Sequence, residues 1–162
     1  MIAPGLDVLF CGINPSLMSF ERGHHFARPG NRFWPALFGA GFTPRLLSAS
    51  EDRLLLDFGL GITNVVARPT RAADELSAQE LRDGAEELDS LVVRYQPRSL
   101  AVVGLQAWRV GFGERDAVVG LQERRVGGRP AWVLPNTSGL NAHYQLPDLI
   151  RLFGELRAWL AG

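Results

Sequence analysis

Apolar and polar positions fall along this chain in blocks whose lengths predict alternating strands and helices. Asp7–Gly12, Ile62–Val66, Ser99–Gly104 and Ala131–Leu134 are short, nearly continuous apolar runs, the pattern of strands buried on both faces. Between them the spacing turns helical. Asn31–Ala40 carries Pro35 early, where a first turn accepts it. Pro44–Asp57 reads as a second helix, with Leu46, Leu47, Leu54, Leu55 and Leu56 on its apolar face. After Gly59-Leu60-Gly61 and the second strand, Ser77 is a predicted N-cap, and Glu80 three residues on completes a capping box. That helix runs to about Tyr95 with Leu81, Leu88, Leu91 and Val92 inward, and Pro97 ends it. A helical turn around Gln106–Val110 and an amphipathic helix over Pro147–Leu160 follow, while Gly111–Pro130, rich in Gly and Arg, reads as a loop or small excursion. The alternation predicts an α/β fold: one domain over residues 1–162, a three-layer αβα sandwich on a short, mostly parallel sheet of four to five strands.

In such a sheet, ligands bind outside the carboxyl ends of the strands. The first strand breaks there into Gly12-Ile13-Asn14-Pro15-Ser16, which delivers an amide side chain to the strand mouth with a stiff, proline-directed exit. The fourth breaks into Pro135-Asn136-Thr137-Ser138-Gly139-Leu140-Asn141. Two strands ending in Asn beside Pro predict one site built from both ends of the chain.

Composition narrows the chemistry. The 162 residues are 46% hydrophobic and 21% charged, as in a soluble globular protein, and no apolar stretch is long enough to span a membrane. One cysteine excludes a disulfide framework and a cysteine-rich zinc site. No basic and hydrophobic leader is visible, so the expected location is cytoplasmic. The net charge is zero, yet arginines and histidines gather between Glu21 and Arg71 and carboxylates between Asp74 and Asp89. That distribution suits either a basic face opposite an acidic one or an ordinary solvated surface. All 17 basic residues are arginine, so lysine Schiff-base chemistry is impossible. The phosphate-binding Gly-Lys loop and the three-glycine dinucleotide fingerprint are missing, as is the Gly-x-Ser-x-Gly nucleophile elbow. His24, His25 and His143 lack partners at metal-ligand spacing, and no metal or cofactor is expected.

Two apolar residues stand out in polar loops. Phe26, within His24-His25-Phe26-Ala27-Arg28-Pro29, either folds back onto the core or offers a stacking platform for a planar ligand. Leu140 either packs inward or serves as a wedge between base pairs, with Gly139 and Asn141 offering hydrogen bonds to an exposed base edge.

Gly12-Ile13-Asn14-Pro15, followed by Phe26-Ala27 and Asn31-Arg32-Phe33-Trp34, closely resembles the mismatch-specific uracil-DNA glycosylases, relatives of the thymine-DNA glycosylases. Leu134-Pro135-Asn136-Thr137-Ser138-Gly139-Leu140 resembles their second motif, and Gly61-Ile62-Thr63-Asn64 with Arg68-Pro69-Thr70 their second-strand region. The resemblance runs in order over nearly the whole chain. It implies a monofunctional DNA-repair hydrolase that flips uracil, with thymine and other damaged pyrimidines as open alternatives, out of duplex DNA, favouring G·U mismatches, and cleaves the glycosidic bond with water. It further implies a monomer working on nucleoid DNA inside a prokaryotic cell. By position, Asn14 would hold the attacking water and Phe26 would stack on the flipped base. The backbone around Ile13 and Phe26 would bond the base edge, with Asn64 in the matching second-strand region and Asn136 near the base or leaving group. Ser19 would lie near the pyrimidine C5, and Gly139, Leu140 and Asn141 would fill the vacated stack and touch the orphaned guanine. Ser16 departs from the family's usual Gly, and Asn141-Ala142-His143 from its usual continuation.

A neutral amide orients water but cannot take its proton. Either the reaction is driven by the leaving group, or a carboxylate assists, with Glu21 and Asp57 as candidates. Asp57, at a predicted helix end before the second strand, falls at the wrong edge of the sheet, which favours a structural role. The alternative from another class is a non-catalytic module that binds mismatched or abasic DNA by wedge and stacking. A small-molecule α/β hydrolase would need a nucleophile that the sequence lacks.

Overall fold

The computed structural model describes residues 1–162. Its centre is a five-stranded sheet in the order β2-β1-β3-β5-β4, formed by β1 (Val8–Gly12), β2 (Leu60–Asn64), β3 (Leu100–Val103), β4 (Gly120–Leu121) and β5 (Ala131–Leu134). β2, β1, β3 and β5 are mutually parallel, and β4 pairs antiparallel with β5 at the edge. All five positions of β1 are buried, and the side-chain period of two splits them between two cores. Leu9 and Cys11 join Leu100, Val102 and Val133 on one face, while Val8 and Phe10 join Ile62, Ala101 and Leu134 on the other.

Helices cover both faces. α3 (Ala78–Tyr95) and α4 (Leu105–Gly111) pack with Leu81, Leu88, Val92 and Trp108 on the first core. α2 (Phe33–Gly39) and α5 (Leu146–Ala161) pack with Phe33, Leu37, Leu149 and Phe153 on the second. Each such fully buried side chain contributes about 2 kcal/mol of hydrophobic stabilisation. The predicted three-layer α/β sandwich is the fold observed.

The capping box of α3 forms as read: Glu80 N–H donates to Ser77 Oγ at 3.0 Å and Ser77 N–H to Glu80 Oε1 at 3.1 Å. Gly84, inside α3, has a packing reason, since a Cβ there would stand 2.2 Å from Val65 O. The helix therefore lies directly on the backbone that leaves β2. Of its four predicted inward positions, Leu91 is only half-buried.

Two expectations need correction, and the structure adds two elements. The predicted helix Pro44–Asp57 is instead a 3-10 segment over Ala49–Phe58. Leu46 and Leu54 are exposed, and only Leu47 and Leu55 of its supposed apolar face are buried. Consecutive leucines do not make one stripe, and the three-residue turn buries Asp52 and Leu55 together. β2 begins two residues before the predicted start, taking in Leu60 and Gly61. A Cβ at Gly61 would stand 2.5 Å from Leu6 and 2.9 Å from Met1 O, so this glycine serves close packing inside a strand rather than a turn. Gly111–Pro130 contributes the edge strand β4. Finally, a short helix α1 (Leu17–Arg22) follows the first strand exit, and Ser16, the departure from the family's usual Gly, is its N-cap, with Ser19 N–H donating to Ser16 Oγ.

Candidate active site

Because four strands run parallel, the exits of β1, β2 and β5 meet along one edge of the sheet, where a cleft of about 540 Å³ opens. Ile13, Asn14, Ser19, Phe26, Asn64, Asn136 and Leu140 all line it. The chain after β1 continues alongside the chain after β2 as a sheet extension: Val65 N–H donates to Gly12 O, Val66 N–H to Ile13 O and Thr70 N–H to Pro15 O. Asn14 is thereby carried on a backbone ladder rather than a free loop.

Its amide orientation follows from its partners. Asn14 Nδ2 donates to Arg68 O and to Thr70 Oγ1, both at 2.8 Å. Thr70 gives its single proton to Ala72 O at 2.7 Å, so toward Asn14 it only accepts. Both partners being acceptors, the bonded atom is the nitrogen, and Oδ1 is left as a free acceptor on the cleft wall. Asn136 is fixed in the opposite sense. Its Oδ1 accepts from Ser138 N–H at 2.9 Å, which leaves its NH2 as the free donor. The two asparagines thus present opposite polarities to one cavity.

Phe26 stacks on the fully buried Phe33, ring centroids 4.2 Å apart and planes at 16°. A Cβ at Gly12 would stand 3.3 Å from the Phe26 ring and 2.7 Å from Asn64 Oδ1, so glycine at the strand end lets both side chains close on the cleft floor. Phe26 has φ +51°, a conformation that non-glycine residues hold only when their surroundings over-determine it. Its neighbours supply that constraint: His25 N–H donates to Asp52 Oδ2 at 3.0 Å, and Ala27 N–H to Ser19 Oγ at 2.9 Å. The Phe26 N–H between them has no protein partner. Phe26 thus packs one ring face on the core, as the first of its two readings expects, and the residue also lines the cleft.

Leu140 is 75% exposed at the cleft rim, so it does not pack inward. Arg32 braces its loop by donating to the carbonyls of Ser138, Asn141 and Tyr144. Gly139 and Asn141 do not line the cleft. Gly139 packs on Gly30, where a Cβ would meet Gly30 O at 2.7 Å. Asn141 Nδ2 donates to Asn136 O and its Oδ1 accepts from His143 N–H, so the amide is tied into the loop with one N–H and one lone pair left over.

No carboxylate lines the cleft. Asp57 is exposed in the segment that leads into the amino end of β2, and Glu21 is exposed on α1 outside the lining, so neither reaches Asn14's neighbourhood. Basic groups do line it: His24, His25, Arg28 and Arg71, and the last two are exposed without an ion-pair partner. Burial, ahead of the nearby amino terminus, holds His25 below the ordinary histidine range. Burial likewise pushes the Cys11 thiol up, so it stays protonated within β1 and is no nucleophile.

The sequence model of the Uracil DNA glycosylase superfamily matches residues 1–160. The chain belongs to that superfamily. Membership makes it a DNA glycosylase of base excision repair, a hydrolase of N-glycosyl bonds. In this glycosylase, sequence reasoning missed Thr70, buried at 5% and holding Asn14, although the Arg68-Pro69-Thr70 match pointed to its segment. It also missed Asp52 behind the histidines, for which no local pattern gave a signal. No helix is long and apolar enough to cross a membrane.

Proposed function

We propose that the protein removes uracil from duplex DNA, favouring uracil opposite guanine, and leaves an intact abasic site. The observation that carries this reading is the opposed polarity of Asn14 and Asn136 across a cleft floored by Phe26. Cleavage breaks the bond between the sugar anomeric carbon and the base nitrogen. The electron pair leaves with the base, and positive charge develops on the sugar. The free NH2 of Asn136 is suited to the negative charge that builds on a base carbonyl oxygen, and a fixed donor in a partly desolvated cleft stabilises such charge strongly. The unpaired Phe26 N–H offers a second donor within the residues that line the cleft. Asn14 Oδ1 accepts a hydrogen bond from water and aims its oxygen at the anomeric carbon, where the new C–O bond forms. The water's proton passes to solvent or to the departing base, since Asn14 cannot take it. With no carboxylate in the cleft, departure of the base drives the reaction, and a good leaving group such as uracil is favoured.

Access requires extrusion, and mismatched pairs extrude at least cost. Leu140 fills the gap left in the stack, while Arg28 and Arg71 contact flanking phosphates. Ser19, which supports the Phe26 loop, lies where the pyrimidine C5 would come. The protein acts as a monomer, within the prokaryotic cell on nucleoid DNA, and needs no cofactor.

Incubating a labelled G·U duplex with excess protein, then treating with alkali, tests the proposal. Strand cleavage that requires the alkali step is expected, because no lysine exists to form a Schiff base. Tight binding of the mismatch with no base release at any enzyme excess would overturn it and favour a non-catalytic mismatch-binding module.

A further inference from the structure

Behind the cleft lies a carboxylate that this mechanism does not use. Asp52 is 4% exposed, in the 3-10 segment Ala49–Phe58. A buried carboxylate is costly unless hydrogen-bonded, and both oxygens of Asp52 point to one place. Oδ1 stands 3.3 Å from His24 Nδ1, and Oδ2 accepts from His25 N–H at 3.0 Å. Both histidines line the cleft, and Phe26 follows them with its left-handed backbone. We propose that Asp52 is a positioning residue for base excision, which fixes the tautomer of His24 and anchors the backbone that presents Phe26; this rests on the glycosylase reading above.

Two features of the geometry give Asp52 this role. A carboxylate only accepts, so His24 Nδ1 carries the proton toward Asp52, and in the neutral ring Nε2 is the acceptor. The cleft wall at His24 therefore has a defined polarity, as it has at Asn14 and Asn136. Secondly, the strained φ of Phe26 is bracketed by two pinned N–H groups, one on Ser19 and one on Asp52. Removing the Asp52 anchor frees one side of the bracket, and the backbone that presents Phe26 loses its fixed place. Arg53 and the amino terminus are the other charged groups near this carboxylate, and neither lines the cleft.

Asp52→Asn separates the two. Its side-chain oxygen can still accept from His25 N–H, but its NH2 donates to His24 Nδ1 and so drives the ring proton to Nε2. Imidazole nitrogen NMR on the free protein reads this directly: the wild type is expected to carry the proton on Nδ1 and the variant on Nε2. Single-turnover excision from G·U duplex is expected to fall about tenfold in Asp52→Asn, with duplex affinity within about twofold of wild type. In a His24→Ala background the same substitution should add nothing. Asp52→Ala should lose more, because His25 N–H is then left without its partner. An unchanged tautomer in Asp52→Asn, an unchanged rate in Asp52→Ala, or an equal loss with and without His24 would overturn the proposal. Wild-type protein that releases no uracil would refute the glycosylase reading instead, and the NMR comparison would still decide whether Asp52 sets His24.

Discussion

The two strand exits that form the cleft are held in place by different means. Beyond β1, residues 12–15 continue as a sheet, with three backbone hydrogen bonds to residues 65–70 and the Asn14 amide clamped between Arg68 O and Thr70 Oγ1. Beyond β5 no strand lies alongside. The loop is instead gathered by one guanidinium, since Arg32 donates to three of its carbonyls and its backbone N–H to Thr137 O. A water-orienting acceptor must be placed to a fraction of an ångström, and a backbone ladder gives that precision. A wedge must enter a gap one base wide and withdraw, and a loop held by side-chain hydrogen bonds rather than by a neighbouring strand suits that task. In the proposed mechanism the water-orienting Asn14 sits on the stiff exit, while the Asn136 donor and the wedge Leu140 sit on the braced loop.

Asn14→Ala is the strongest way to test the stiff side. It should lower the single-turnover excision rate about 100-fold or more, with duplex binding nearly unchanged, because it removes the proposed acceptor for the attacking water together with the amide's bonds to Arg68 O and Thr70 Oγ1. A rate within threefold of wild type, as a rough limit, would place the water elsewhere. Arg32→Met strikes the adjustable side. Three charge-assisted hydrogen bonds are lost, so a stability cost of about 2 kcal/mol and a roughly tenfold slower G·U excision are expected. Uracil in single strands, which needs no wedge, should be processed at nearly the wild-type rate. Equal losses on both substrates would show that Arg32 supports the whole cleft and would erase the contrast. Thr70→Val keeps the shape of the ladder but removes one acceptor from Asn14. A severalfold slower rate, restored by Thr70→Ser, would show that the amide's orientation matters apart from the backbone that carries it.

The order of these effects follows what the sequence could and could not express. The apolar runs of β1, β3 and β5 and the Ser77–Glu80 capping box are local patterns, and they appear at or within a residue or two of where periodicity put them. The strand exits were equally legible, since Gly, Asn and Pro after an apolar run have few other meanings. Which atom of each asparagine faces the cleft was not legible, because Arg68, Thr70 and Ser138 decide it through contacts made only in the fold. Arg32 stood in the Asn31-Arg32-Phe33-Trp34 motif, but its bracing role was not legible, because its partners lie more than 100 residues away. Asp57 drew attention as a carboxylate near a strand, yet the buried carboxylate by the cleft is Asp52, five residues earlier and hidden in a segment whose pattern reads as an amphipathic helix. Asn141 sat in the right loop with a suggestive side chain, and the loop's own geometry uses both ends of it.

The smallest effect concerns the outer support of the stiff exit. Arg68, whose carbonyl holds Asn14, is tied through its guanidinium to Glu80 at 2.9 and 3.0 Å. That guanidinium first, and Ser77 N–H second, lower the Glu80 carboxyl from 4.5 to about 2. A carboxyl whose pKa is depressed by folding adds stability above its unfolded value and loses it as pH falls through the folded one. The contribution of Glu80 is therefore complete at neutral pH and fades from 4.5 down to about 2. Glu80→Gln should lower the thermal midpoint slightly at neutral pH and flatten its fall over that acid window. The pair is exposed and screened by salt, and the ladder from Gly12 to Thr70 does not depend on it. Excision at neutral pH should therefore stay at the wild-type rate. A large loss would mean that the side chain of Arg68, rather than the backbone, holds the Asn14 exit, and that both sides of the cleft rest on a single arginine.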